Sequence, residues 1–358
     1  MKTLKFSLLI VLLIIFGVFV GIGIRFLQID KLIFSPESVI NTGNLNEFST
    51  NNFSASDIGN FDKKATGQAE EQKETSKINL IFVGDIMLDR GVRNKVETIG
   101  KGDYLFPFLK VVNFLKTADV VFGNLEGPIS DKGKDVGNLY SFRMSPQAVA
   151  GLKGAGFKVL FLANNHIGDW GLEALKDTVS NLEKNSILTV GVEIDSEKVY
   201  KARIFELKDL KLALLGFADF EDQYRNTEVE NNIAIADPVR VSEAIKEARE
   251  KADIVIVYYH FGEEYEKEPN PRQKFLAELA IDEGADLVVG SHPHVIQPLE
   301  IYKDKYIAYS LGNFVFDQNF SEETMVGALL KVVVEDKRIV SADLKEFRIN
   351  SDFQPVIE

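Results

Sequence analysis

The sequence predicts an α/β domain with buried, largely parallel strands. From Ile78 onward, short and nearly continuous apolar runs alternate with longer amphipathic stretches, and polar clusters directly follow several of those runs. Strands covered on both faces read as near-continuous apolar runs, whereas half-exposed strands alternate apolar with polar residues. Polar residues just after such runs fall in loops at the carboxyl ends of the strands, the edge of an α/β sheet where ligands bind.

In order, the expected strands are Ile78–Val83, Val120–Phe122, Val159–Leu162, Leu212–Phe217, Ile254–Tyr259 and Leu287–Val289. Between them, Leu105–Lys116, Pro146–Ala155, Leu172–Lys184, Val239–Lys251 and Arg272–Glu283 carry helical apolar spacing. A final pair of runs, Gly327–Val334 and Arg338–Phe347, is joined by the polar Glu335-Asp336-Lys337 and reads as a hairpin. There is no internal repeat, and 358 residues suffice for one large core. One domain is therefore expected over 78–347, with a tail over 348–358.

The amino terminus carries a different signal. Phe6 to Ile24 is a run of 19 residues without charge and with Ser7 as its one polar side chain. At a rise of about 1.5 Å per residue, such a helix is nearly as long as the roughly 30 Å hydrocarbon layer. A cleaved signal has a shorter apolar region and a small-residue cleavage site, but Arg25-Phe26-Leu27-Gln28 follows here. The expectation is a cytoplasmic tail over 1–5, a transmembrane anchor over 6–24 and a flexible linker over 25–77. The polar, Asn-, Ser- and Thr-rich stretch Asn41 to Lys77 would tether an extracytoplasmic domain off the membrane.

Composition narrows the chemistry. Acidic residues outnumber basic ones 54 to 41, a net charge of -13, which argues against nucleic acid as a partner. With no cysteine, there are no disulfides, thiolate nucleophiles or Cys-based metal sites, and metal binding falls to His, Asp, Glu and Asn.

The chain has four histidines, His166, His260, His292 and His294, and each lies in a loop that follows an expected strand. Any one of them alone would read as an ordinary hydrogen-bonded residue; all four in one predicted cleft point to a metal or catalytic centre. In His292-Pro293-His294, proline favours an extended path at the residue before it, and residues two apart on an extended chain face the same side. Both imidazoles could then face one cluster of divalent cations. In Asn165-His166-Ile167-Gly168-Asp169, an amide oxygen can ligate a metal while the next imidazole faces substrate and Asp169 holds that ring.

The blocks Gly84-Asp85-Ile86-Met87-Leu88, Gly123-Asn124-Leu125-Glu126-Gly127-Pro128, Asn164-Asn165-His166-Ile167-Gly168-Asp169, His260-Phe261-Gly262-Glu263-Glu264-Tyr265, Gly290-Ser291-His292-Pro293-His294 and Ser310-Leu311-Gly312-Asn313-Phe314 resemble the bacterial capsule-synthesis family CapA. That family is associated with poly-γ-glutamate capsule and is a divergent branch of the calcineurin-like metallophosphoesterases. The resemblance implies a four-layer αββα sandwich and a site with one or two divalent cations, Mn, Fe or Zn. It implies Asp85 as a ligand, with Asn165, His260 and His292 on one metal and His294 on the other. Asn124 or Glu126 would occupy the bridging region, His166 would be the general acid, and Asp169 would orient it.

Two positions depart from the catalytic phosphoesterases that the branch resembles. Met87 stands where their first block has a second ligand, and a thioether is a poor partner for a hard cation. Asn124 stands where they have a bridging Asp. Arg90 and Arg143 could each pair with a carboxylate or phosphate of substrate, or be solvated surface charges. The Glu263, Glu264, Glu266 and Glu268 cluster reads as a solvated loop. The expected function is a hydrolase or transferase acting on a phosphate ester or related anionic polymer in making, exporting or anchoring the capsule, alongside other membrane subunits of that pathway. A non-catalytic metal-binding component of a polymer-export complex is the rival, and a cell-wall amidase or peptidase a third possibility.

Overall fold

A computed structural model describes residues 77–357 of the chain. The expected tail, anchor and nearly all of the linker lie outside those residues. Among the described residues no helix is long and apolar enough to cross a membrane.

The order of elements is β1 (Ile78–Ile86), α1 (Arg90–Thr98), β2 (Val120–Leu125), α2 (Ala148–Ala155), β3 (Phe157–Phe161), α3 (Gly171–Glu183), β4 (Leu188–Val190), β5 (Arg203–Leu207), β6 (Leu210–Ala218), α4 (Pro238–Arg249), β7 (Ile254–His260), α5 (Pro271–Asp282) and β8 (Leu287–Ser291). There follow β9 (Leu299–Tyr302), β10 (Lys305–Ala308), β11 (Asn313–Val315), β12 (Val326–Glu335), β13 (Arg338–Ile349) and β14 (Pro355–Val356). Local chemistry sets several of the helix starts and stops. Asp237 accepts from the Arg240 N–H with Pro238 opening α4, and Asn270 and Gln273 form a reciprocal capping box at α5 behind Pro271. Gly156, at φ 102°, closes α2 in the left-handed conformation.

The strands form two sheets. One runs β14-β13-β12-β1-β2-β3-β4, with β11 added against the end of β1; the other runs β5-β6-β7-β8-β10-β9. The strands β1 to β4 pair in parallel, as do β6, β7, β8 and β10, so the expected parallel cores are present in both. The final hairpin is β12 and β13 in antiparallel register, turned by Asp336 and Lys337, both with positive φ as a two-residue hairpin loop requires.

Alternate residues of the same strand feed different cores. Leu80, Phe82, Val120, Phe122, Val159 and Phe161 face Leu212, Leu214, Ile254, Ile256 and Tyr258 of the other sheet. Their neighbours Ile81, Val121, Phe157 and Leu160 pack with Val92, Val96, Leu152, Leu175 and Val179 of helices α1 to α3. On the far side, Ala213, Leu215, Val255 and Val257 pack with Val241, Ile245, Leu276 and Ala280 of α4 and α5. The layers are therefore helix, sheet, sheet, helix. An aromatic file crosses the middle: Phe82 stacks on Phe122 at 4.3 Å between centroids, and Phe161 stacks on Tyr258 at 4.2 Å. Such pairs contribute about 0.5–1.5 kcal/mol beyond their area burial. Since Phe161 closes β3 and Tyr258 lies two residues before His260, the second stack also sets the spacing between two loops of the site.

Two expectations need correction. Leu105–Lys116 is not one helix: it divides into a 3-10 turn, Phe106–Phe108, and a single helical turn, Val112–Leu115. Pro107 has no N–H to continue an α-helical ladder and disfavours helical backbone at the residue before it. Residues 348 onward are not a free tail, because Arg348 and Ile349 extend β13 and pair with Val356 and Pro355 of β14.

Candidate metal centre

The carboxyl ends of β1, β2, β3, β7 and β8 bring the predicted residues together. Asp85 on β1 is in register with Asn124 on β2 and with Asn313 on β11, while His260 on β7 is in register with Ser291 on β8. Asp85, Asn124, Glu126, Asn165, His166, Asp169, His260, His292 and His294 are all buried. Gly84 permits this convergence: a Cβ there would lie 1.8 Å from the Gly312 carbonyl oxygen, which accepts from the Asp85 N–H at 3.1 Å.

Asp85 is the hub. Its Oδ1 accepts from the Asn124 amide at 2.8 Å and its Oδ2 from the His292 backbone N–H at 3.3 Å, with His294 Nδ1 also 3.3 Å from Oδ2. Asn124 Oδ1 in turn accepts from the Asn164 amide at 3.2 Å. His294 Nδ1 lies 3.0 Å from Asn313 Oδ1, and its Nε2 lies 3.7 Å from Glu126 Oε1. On the other side, His260 Nε2 is 2.8 Å from Asn165 Oδ1 and its Nδ1 is 2.9 Å from Ser291 Oγ. Asn165 and His260 therefore present their donor atoms to one point. The His260 and His292 rings are 4.9 Å apart, walled by Phe220.

His292-Pro293-His294 does not follow the expected extended path. His292 has φ 100° and His294 φ 58°, so the two rings, 5.9 Å apart, converge through a bend. His292 thus departs from the extended backbone that the residue before a proline favours. Strain of this kind costs on the order of 1–3 kcal/mol per residue and persists where surrounding contacts over-determine it; Asp85 and Asn313 supply those contacts.

The electrostatics are those of a cation site. Burial first, then the charges of Asp85 and Glu264, pushes the Glu126 carboxyl well above its ordinary range. Burial first, then neighbouring imidazoles, pushes His260 and His292 well below theirs, so both are held neutral and able to donate a lone pair. Both Glu126 carboxylate oxygens and His292 Nδ1 are buried with no hydrogen-bond partner. An unsatisfied buried polar group costs about 1–3 kcal/mol, more when charged. A divalent cation among these atoms would remove that cost, and Asp85, Glu126 and His294 offer ligand atoms within 4.8 Å of one another. The residues present thus fit a metal.

His166 stands at the edge of this group. Its Nδ1 is 2.9 Å from Asp169 Oδ2, and its Nε2 is 3.9 Å from Glu126 Oε1. Asp169 also accepts from the Asn138 amide and from the Phe142 N–H, both at 2.8 Å. The Phe142 ring lies 4.1 Å from that of His166.

Met87 is buried in the apolar core on the helix side of β1, and its sulfur accepts from the Asp89 N–H. The two arginines have internal partners. Arg90 pairs with Asp317 and lies 4.8 Å over Phe142, while Arg143 stacks 3.6 Å from the ring centre of Trp170, the sole tryptophan. Arg90 stays exposed and Arg143 half-buried, and both flank the His166–Asp169 unit through the residues they touch.

Sequence reasoning gave no role to Asn164, Ser291 and Asn313, which hold Asn124, His260 and His294 in place. Each lies within a polar block that follows an apolar run, the only signal available for them. The acidic cluster after His260 is exposed, as expected of a solvated loop, and one of its members, Glu264, offers a ligand atom within 4.8 Å of ligand atoms from His292 and His294.

A sequence model of the family described as "Bacterial capsule synthesis protein PGA_cap" matches residues 79–318. The chain is 35% identical over 289 residues to the capsule biosynthesis protein CapA of Bacillus anthracis, covering 78% of this chain and 69% of that one. It is 36% identical over 266 residues to the PGA biosynthesis protein CapA of Bacillus subtilis strain 168, covering 71% and 68%. Among solved structures, a phosphatase from Mycoplasma pneumoniae aligns with a TM-score of 0.46 at 14% identity, covering 76% of this chain and 94% of that one. The protein belongs to the bacterial capsule synthesis family PGA_cap.

Proposed function

We propose that this protein is a metal-dependent, phosphoesterase-like hydrolase of the calcineurin-like type. It acts in the synthesis, export or anchoring of a poly-γ-glutamate-like capsule polymer. The observation that carries the catalytic part is His166 held between Asp169 at Nδ1 and the buried carboxylate centre near Nε2. Asp169 accepts a hydrogen bond from Nδ1–H and so orients Nε2 to carry the proton that would pass to a leaving oxygen beside the centre. A site that only binds metal has no use for an acid oriented in this way.

One or two divalent cations would be held by Asp85, Glu126, Asn165, His260, His292 and His294, and would supply positive charge against the oxygens of an anionic ester. Mixed imidazole and oxygen donors suit Mn²⁺, Fe or Zn²⁺. Asn124 ties Asp85 in place, Phe142 and Phe220 wall the centre against water, and Arg90 and Arg143 border the entrance for an anionic substrate. The family relation supports the capsule role. The apolar run Phe6 to Ile24 supports a single-pass membrane anchor with the domain outside, where other membrane subunits of the pathway would meet it. Protease added to intact protoplasts should digest the domain; protection would overturn this orientation.

A second reading, a non-catalytic metal-binding component of an export complex, is favoured by Met87 in the core and by the neutral Asn124. Metal content measured together with phosphodiester and phosphomonoester turnover, in wild type and His166→Ala, separates the two. Turnover that falls about 10²–10⁴-fold with metal retained supports the hydrolase. Metal retained with no turnover in either protein supports the second reading.

A further inference from the structure

We propose that Glu264 is a ligand of a second cation position, shared with His292 and His294, and supplies the donor and charge that Met87 and Asn124 withhold. This rests on the metal-centre reading above. Two groups of potential ligands share His294: Asp85 with Glu126, and Glu264 with His292. The first has two carboxylates to balance a dication. The second, without Glu264, would have only neutral imidazoles and amides.

Glu264 is exposed, but its backbone is fixed on both sides. The Phe261 N–H donates to the Ser291 carbonyl at 3.1 Å, and the Tyr265 N–H donates to the Pro293 carbonyl at 2.8 Å, directly between the two histidines. Gly262, at φ 101°, packs so closely on the buried Gln273 amide that a Cβ would come within 2.6 Å of it. The Gln273 amide donates to Gln297 at 2.8 Å, and Gln297 donates to the Glu266 carbonyl at 2.9 Å. A merely solvated acidic loop has no need of this bracing. Independently, His292 Nδ1 is buried without a partner, which is the state of an imidazole awaiting a cation. Glu263 and Glu268, in the same stretch, belong to neither ligand group.

The test is Mn²⁺ titration of the chelator-stripped full-length protein by calorimetry and electron paramagnetic resonance. It compares wild type with Glu264→Gln, Glu264→Asp and Glu263→Gln. Losing a carboxylate that merely steadies a ligand already weakens metal binding about 10–100-fold. Glu264→Gln should therefore bind the second Mn²⁺ at least about tenfold more weakly and lose the spin-coupled signal of paired ions, while keeping the first. Glu264→Asp should recover part of the affinity, and Glu263→Gln should match wild type. A Glu264→Gln protein that takes up Mn²⁺ with wild-type number and affinity overturns the assignment and leaves the metal centre standing. A wild-type protein that binds no divalent cation overturns both.

Discussion

The carboxylate of Asp169 holds three donors at once: His166 Nδ1 at 2.9 Å, and the Asn138 amide and the Phe142 N–H at 2.8 Å each. It therefore fixes the imidazole, the ring that walls it and the loop that covers it. These contacts hold the imidazole in one orientation, which the proposed acid role would require.

Asp169→Asn keeps the shape and removes the charge. Turnover should fall about 10–100-fold, the range for loss of an orienting partner, with metal content unchanged. Esters with good leaving groups should be affected less than those with poor ones, since they need less protonation. An equal loss across leaving groups would show that Asp169 serves only the fold.

Glu126 should set the pH dependence of metal uptake. Burial and Asp85 raise its carboxyl, whereas His260 and His292 are already neutral, so the proton displaced by a cation should come from Glu126. Calorimetry in two buffers of different ionisation enthalpy should show about one proton released per Mn²⁺ bound at mildly acidic pH, and Glu126→Gln should abolish it. The sign for stability follows from the same shift. In cation-free protein, the Glu126 contribution is complete below the ordinary carboxylate range and is lost as pH rises through the raised value. Denaturant resistance without metal should therefore decline as pH rises above the ordinary carboxylate range and recover when Mn²⁺ is added.

Gly84→Ala should damage the centre more than any neighbouring small substitution. The new Cβ would press on the Gly312 backbone at 1.8 Å and part β1 from β11, displacing Asp85 and Asn313 together. The expected result is a protein with little bound Mn²⁺ and a loss of stability of a few kcal/mol, in the range of overpacking about 1–3 kcal/mol or more. Metal content and denaturant unfolding measure the two effects; normal metal content would refute the close approach.

Much of this protein is determined locally and can be read from residue order alone. The apolar runs mark the buried strands because a strand covered on both faces must be apolar on both. The polar blocks after them hold every predicted ligand because loops at the carboxyl ends share one edge. Short strands such as β4, β10 and β11 carry too few residues to show a period. Pro107 interrupts a stretch whose apolar spacing suited a single helix.

Tertiary structure decided the rest, since it depends on which distant atoms meet. The bend at His292-Pro293-His294 depends on Asp85 and Asn313, and the internal partners of Arg90 and Arg143 are Asp317 and Trp170, which no local pattern connects to them. The loop after His260 likewise lays the exposed Glu264 beside two histidines, a proximity no local pattern announces. Sequence determines which side chains are able to bind a cation or move a proton. Only packing determines which of them share a point in space, because the free energy that places them comes from cores and hydrogen bonds contributed by the whole chain.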